Sequence, residues 1–176
     1  MSPHDTSSMK RRDYHSAGHA VAAFLSGIEA GSLTHGSSGS GVLETWRCRF
    51  LATDTDIGCD GRSLASADAQ ALCVAYLGGC VAEALAGVRE DGGRAAADLD
   101  EVYSLAEEQS GCREELEGLV AGLRLRTHEL LADPPAWEAV ERLSAVLGKS
   151  SSIEAEEIGR VISEVLQDHS RSGRSR

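Results

Sequence analysis

Apolar positions recur at helical spacing along most of this chain, so it reads as mainly α. The first such run places Ala20, Ala23, Phe24 and Leu25 on one face; Ser7 or Ser8 can cap it, and Gly27 is its stop signal. Residues 67–86 form a second run, capped by Ser66 and ended by Gly87, and it is nearly apolar all round, which predicts a central, buried helix. Gly78 and Gly79 would each weaken an exposed helix by about 1 kcal/mol, so close packing against a neighbour is expected there. Glu83 is the one charge before that helix ends, and a buried charge needs a partner. Further helices are predicted over residues 95–106, with acidic first turns, and 112–132, with Leu116, Leu119, Val120, Leu123, Leu130 and Leu131 apolar. Asp133-Pro134-Pro135 breaks the chain before helices over 135–147 and 153–168, and Ser151 with Glu154 forms a capping-box pattern for the last.

Between the first two helices the pattern changes. Glycines at 31, 36, 39 and 41 punctuate short segments, and residues 42–50 partly alternate apolar with polar, as a half-buried strand does. A small antiparallel β-sheet after the first helix is therefore expected, followed by an acidic, glycine-containing loop over 51–63. The resulting division is a disordered lead over residues 1–8, one domain over 9–168 and a basic flexible tail over 169–176.

Composition narrows the partners. With 41% hydrophobic and 26% charged residues in 176, the chain suits one soluble core. The net charge of −11 argues against a nucleic-acid-binding face, which needs clustered Lys and Arg. No apolar run approaches the roughly 20 residues of a membrane helix, and Asp13, Tyr14 and His15 follow Lys10-Arg11-Arg12 where a signal peptide has its apolar stretch, so a cytoplasmic location is expected. The five cysteines, 48, 59, 73, 80 and 112, include no C-x-x-C pair; Cys73 and Cys80 share a helix face and read as small core residues. Leu147-Gly148-Lys149-Ser150 matches only the end of a phosphate-binding loop, with Leu143 in place of its first glycine, so no ATP site is expected.

The candidate chemistry lies in the first helix. His15 and His19 are four apart, so both imidazoles can reach one ion at roughly 2.0–2.1 Å. The zinc-peptidase motif H-E-x-x-H has a glutamate directly after its first histidine, where it deprotonates the metal-bound water. Here that position is Ser16, so the ligand pair stands without the usual general base.

Four stretches, in order, make this chain resemble the peptidase domain of the FtsH-type membrane-anchored ATP-dependent zinc proteases. Tyr14-His15-Ser16-Ala17-Gly18-His19-Ala20-Val21 is similar to the family's H-E-A-G-H-A-V apart from the glutamate. Leu77-Gly78-Gly79-Cys80-Val81-Ala82-Glu83-Ala84-Leu85-Ala86-Gly87 resembles its buried L-G-G-R-x-A-E-E-L-x-x-G helix. Gly92-Gly93-Arg94-Ala95-Ala96-Ala97-Asp98-Leu99 sits where the family has T-G-A-x-x-D-L, and residues 129–158 are similar to its closing helices. The likeness runs over residues 9–168 and implies a helical zinc-metallopeptidase-like fold. It also implies His15, His19 and Asp98 as metal ligands, with an open fourth position, and Glu83 as a carboxylate behind the ligands and not the base. Zinc is the implied ion, although nickel, cobalt or iron accept the same donors. The family's proteases carry membrane helices and an ATPase module ahead of this domain, and these 176 residues include neither.

Three functional readings follow. The leading one is a zinc-binding, FtsH-peptidase-like domain with little or no peptidase activity, since Ser16 cannot take the water's proton, acting through a polypeptide or protein partner. The second is a working zinc hydrolase with a substitute base, for which Glu44, Asp54, Asp56 and Asp60 are candidates. The third is a metal-free helical scaffold. Whether the chain is an enzyme, and its oligomeric state, stay open at the level of sequence.

Overall fold

The computed structural model describes residues 3–29, 31–34, 49–50, 66–88, 92–150 and 152–173. Among them six helices dominate: α1 (Pro3–Leu25), α2 (Ser66–Leu85), α3 (Gly92–Glu107), α4 (Arg113–Ala132), α5 (Pro134–Leu147) and α6 (Ala155–Gly173). Helix α1 thus starts upstream of the Ser7 or Ser8 cap expected from sequence, and α6 continues past residue 168.

Helix α2 lies at the centre, packed against α1, α3 and α4, while α5 packs on α1 and α6. Its near-continuous apolar character follows from that position: Leu72, Cys73, Val74, Ala75, Leu77, Cys80, Val81 and Ala82 are all buried. α1 meets it through Ala17, Ala20, Val21 and Ala22, which have no exposed surface at all. Small residues on both helices let their backbones approach closely. A Cβ placed on Gly78 would sit 2.5 Å from the Gly18 carbonyl oxygen, so this crossing tolerates glycine alone. Tyr14 of α1 stacks on Trp137 of α5 with ring centroids 5.9 Å apart.

The helix ends follow the expected stop signals. Gly87 has φ +67, its N–H donates to the Ala84 carbonyl, and the Val88 N–H donates to the Glu83 carbonyl, which is the paired closure that a left-handed glycine makes possible. Gly27 ends α1 in the same left-handed conformation, with φ +78, and its N–H donates to the Phe24 carbonyl. Asp133 is extended, with φ −63 and ψ 130, and separates α4 from α5, whose first turn holds the two prolines.

The expected small sheet is not found as such among the described residues. Instead there are two separate antiparallel ladders of two residues each. β1 (Ile28–Glu29) pairs with β3 (Arg49–Phe50), and β2 (Leu33–Thr34) pairs with β4 (Ser152–Ile153). Ile153 was expected to open the last helix. It lies instead in β4, opposite Leu33 and buried with it, and α6 begins two residues later. Most of the segment expected as a strand over 42–50, the loop over 51–63, and Ser151 of the capping box lie outside the described residues. Cys73 and Cys80 are buried core residues, and burial pushes the Cys73 thiol up to about 11, against a smaller lowering by a backbone hydrogen bond. Cys112 is exposed. No helix among the described residues is long and apolar enough to cross a membrane.

Candidate metal centre

The α1–α2 crossing decides which way the two histidines face. Their spacing puts both on the side of α1 that α2 covers, and α3 then brings Asp98 onto the same spot. His15 and His19 are each 2% exposed, Asp98 4% and Glu83 1%. Four titratable side chains are therefore gathered inside the protein, where unpaired polar groups are costly.

Three atoms converge. His15 Nε2 and His19 Nε2 are 3.0 Å apart, and Asp98 Oδ2 lies 3.2 Å from the first and 3.3 Å from the second. An ion bound tetrahedrally at about 2.0–2.1 Å spaces its donors about 3.3 Å apart, so the triangle has the edge lengths of three tetrahedral vertices. The two imidazoles stand edge to face, with an interplanar angle of 85°.

The outward-facing nitrogens are held by the residues behind. His19 Nδ1 is 2.8 Å from the Ala75 carbonyl, to which it donates; the carbonyl of a mid-helix residue retains a second lone pair for such a bond. This leaves the lone pair of a neutral His19 on Nε2, facing the centre. His15 Nδ1 lies 3.0 Å from Glu83 Oε1, and the charge of that carboxylate favours the proton of a neutral His15 on Nδ1, which leaves its lone pair on Nε2. Two imidazole lone pairs and one carboxylate oxygen thus point at one place, with no donor among them. A proton or a cation has to fill it.

The electrostatics agree. Burial opposes protonation of His15, but the Asp98 and Glu83 carboxylates outweigh it and push its pKa up to about 9. Burial likewise opposes ionisation of Asp98, yet His15 and His19 hold it well below the usual carboxylate range. The distances in the cluster are short, but His15 Nδ1, Glu83 Oε1 and Asp98 Oδ2 lack the alignment of hydrogen bonds. His15 Nδ1 with Glu83, and the two Nε2 atoms with Asp98, act as close charge pairs. With both histidines neutral, the two carboxylates leave a double negative charge inside the protein, which one divalent cation offsets.

Gly79 makes the room. A Cβ there would touch His19 Nε2 and would come within 2.7 Å of His15 Cε1 and 2.8 Å of His15 Nδ1. The two imidazoles therefore lie across the α2 backbone where a side chain would otherwise project. Neither this role of Gly79 nor that of the Ala75 carbonyl was read from sequence. The signal for Gly79 was the glycine pair inside an apolar helix, attributed wholly to helix packing; the carbonyl had none.

His15, His19 and Asp98 form a buried group able to hold a metal ion, and Glu83 stands directly behind His15. Ser16 follows His15 on α1 and is half-buried. Glu44, Asp54, Asp56 and Asp60 lie outside the described residues. No protein-family model matches this chain, and no curated protein matches it.

Proposed function

We propose that this chain is a divalent-metal-binding domain, with zinc as its ion, related in design to the FtsH-type peptidase domain and largely without peptidase activity. The observation that carries the metal reading is the convergence of His15 Nε2, His19 Nε2 and Asp98 Oδ2 within 3.3 Å of one another, with the Ala75 carbonyl and Glu83 behind the two imidazoles. Residues with imidazole and carboxylate donors in this number suit zinc with an open position, and also suit iron, cobalt or nickel.

A bound zinc would supply Lewis acidity and a water of lowered pKa at that open position. At the position of the peptidase's general base this chain carries Ser16. A glutamate at position 16 would take a proton from the water and return it to the leaving amine; the Ser16 hydroxyl cannot accept it at neutral pH. General acid–base catalysis is worth about 10²–10⁴-fold, so its loss raises the barrier by roughly 3–5 kcal/mol. Glu83 does not replace it, because it lies against Nδ1 of His15, on the ring edge away from Asp98. The domain then works by holding a polypeptide or protein partner near the metal.

The test is elemental mass spectrometry of the purified protein beside His19→Ala. Near one zinc per chain, lost in the variant, supports the reading. No metal in either preparation overturns it in favour of a scaffold that kept the fold after losing the ion.

A further inference from the structure

Helix α4 turns Val120, Leu123, Thr127 and Leu131 to the core. Its opposite side carries Gly118, Ala121, Gly122 and Leu125, with Glu114 and Glu129 at the two ends of that stripe. Leu125 is 61% exposed, an apolar side chain left in water. A Cβ added at Gly118 or Gly122 would meet nothing within 4 Å among the described residues, so another helix can approach this backbone closely.

Most of the charges on this helix are divided along its length. Glu114, Glu115 and Glu117 occupy the first turns beside Arg113, and Arg124 and Arg126 the second half beside Glu129, all of them exposed. At about 100° per residue, Glu115 and Arg126 fall on one flank of the Gly118–Leu125 stripe, and Glu117 and Arg124 on the other. An antiparallel copy of the same helix carries the opposite charge at each of these places. A parallel copy would set like against like.

We propose that α4 is the contact between two copies of this chain, packed antiparallel about a two-fold axis. Gly118 then faces Gly122 of the second copy, and Leu125 falls beside the gap that Gly118 leaves. Glu115 meets Arg126 of the second copy on one flank, and Glu117 meets Arg124 of the second copy on the other. The contact is isologous, so each pairing occurs twice. The present partner of Glu117 is Arg113, with the two side chains 56% and 86% exposed, and so open an ion pair yields at little cost. One helix pair about 30 Å long is small for a permanent interface, so association is reversible and depends on concentration.

Sedimentation equilibrium of the whole chain over a range of concentrations tests this. The expected mass rises from 18.5 kDa toward twice that value, and Leu125→Glu holds it at the lower figure. The charge-reversed chains Glu115→Arg with Glu117→Arg, and Arg124→Glu with Arg126→Glu, are each expected to remain monomeric. Mixed in equal amounts they should pair, because one then offers only positive and the other only negative flanks. A wild-type chain that stays at 18.5 kDa throughout overturns the proposal and leaves α4 to a different partner. A dimer that survives Leu125→Glu, or a charge-reversed mixture that stays monomeric, overturns it as well.

Discussion

His15 Nδ1 sits 3.0 Å from Glu83 Oε1, while Nε2 on the same ring sits 3.2 Å from Asp98 Oδ2. One imidazole is thus held between two carboxylates, one on the side where the three donor atoms converge and one behind. A carboxylate behind a ligating histidine fixes its tautomer and raises its basicity, and losing such a partner typically costs about 10–100-fold in metal affinity. Glu83→Gln keeps the shape and removes the charge. Its zinc dissociation constant, measured by competition with a chelator, is expected to rise by about that factor. An unchanged constant would show Glu83 to be filling space and no more.

Gly78 and Gly79 are adjacent yet serve different ends, and alanine at each should fail differently. Alanine at Gly78 drives a methyl to 2.5 Å from the Gly18 carbonyl oxygen and 2.7 Å from the Ala22 Cβ. Neither is the free end of a long side chain, so the helices must separate, and a loss of about 1–3 kcal/mol in unfolding free energy is expected. Alanine at Gly79 meets imidazole rings. Gly79→Ala should therefore lose metal while keeping the helical circular-dichroism signal and a cooperative melt. Full metal content in Gly79→Ala would mean the rings have another place to go.

The helices were legible because their signals are local: apolar period, Gly27 and Gly87 as stops, prolines after Asp133. The ladder of Leu33 with Ile153 was not, since a two-residue pairing across most of the chain leaves no period to read, and the apolar Ile153 fits a helix start equally well. For the site, the spacing of His15 and His19 announced a shared face. Asp98 came only through likeness to a family's motif, because nothing in a single carboxylate on another helix says which residues it will meet. The Ala75 carbonyl, being backbone, carries no sequence signal at all.

The titration of His15 sets a direction for stability in metal-free protein. Its folded value is raised from 6.5 to about 9, so its charged form is favoured by folding; that contribution is complete below pH 6.5 and is lost as pH rises through about 9. Asp98 is lowered from 3.8, so its contribution is present above that pH and is lost on acidification. The melting temperature of chelator-treated protein should therefore peak between about pH 4 and 6.5 and fall toward pH 9. Metal runs the other way, because binding must displace the proton from His15. Zinc affinity should climb with pH up to about 9, by close to one proton per ion, and a flat profile would place His15 outside the ligand set.

Ser16→Glu asks whether the ligand set lacks only its base. The position is half-buried and directly follows His15 on α1, so a longer side chain has a route to solvent and does not have to enter the core. With metal bound, a glutamate there would supply a proton acceptor of the kind worth about 10²–10⁴-fold. The expected outcome is chelator-sensitive cleavage of an unfolded substrate such as casein, faster than wild type by about that factor and abolished by adding Asp98→Asn. If the variant binds zinc as wild type does and still cuts nothing, more than the base is missing, and the domain's work lies in binding alone. If the unaltered chain already cuts at the variant's rate, a different group is accepting the proton, and the acidic residues at 44, 54, 56 and 60 become the next to substitute.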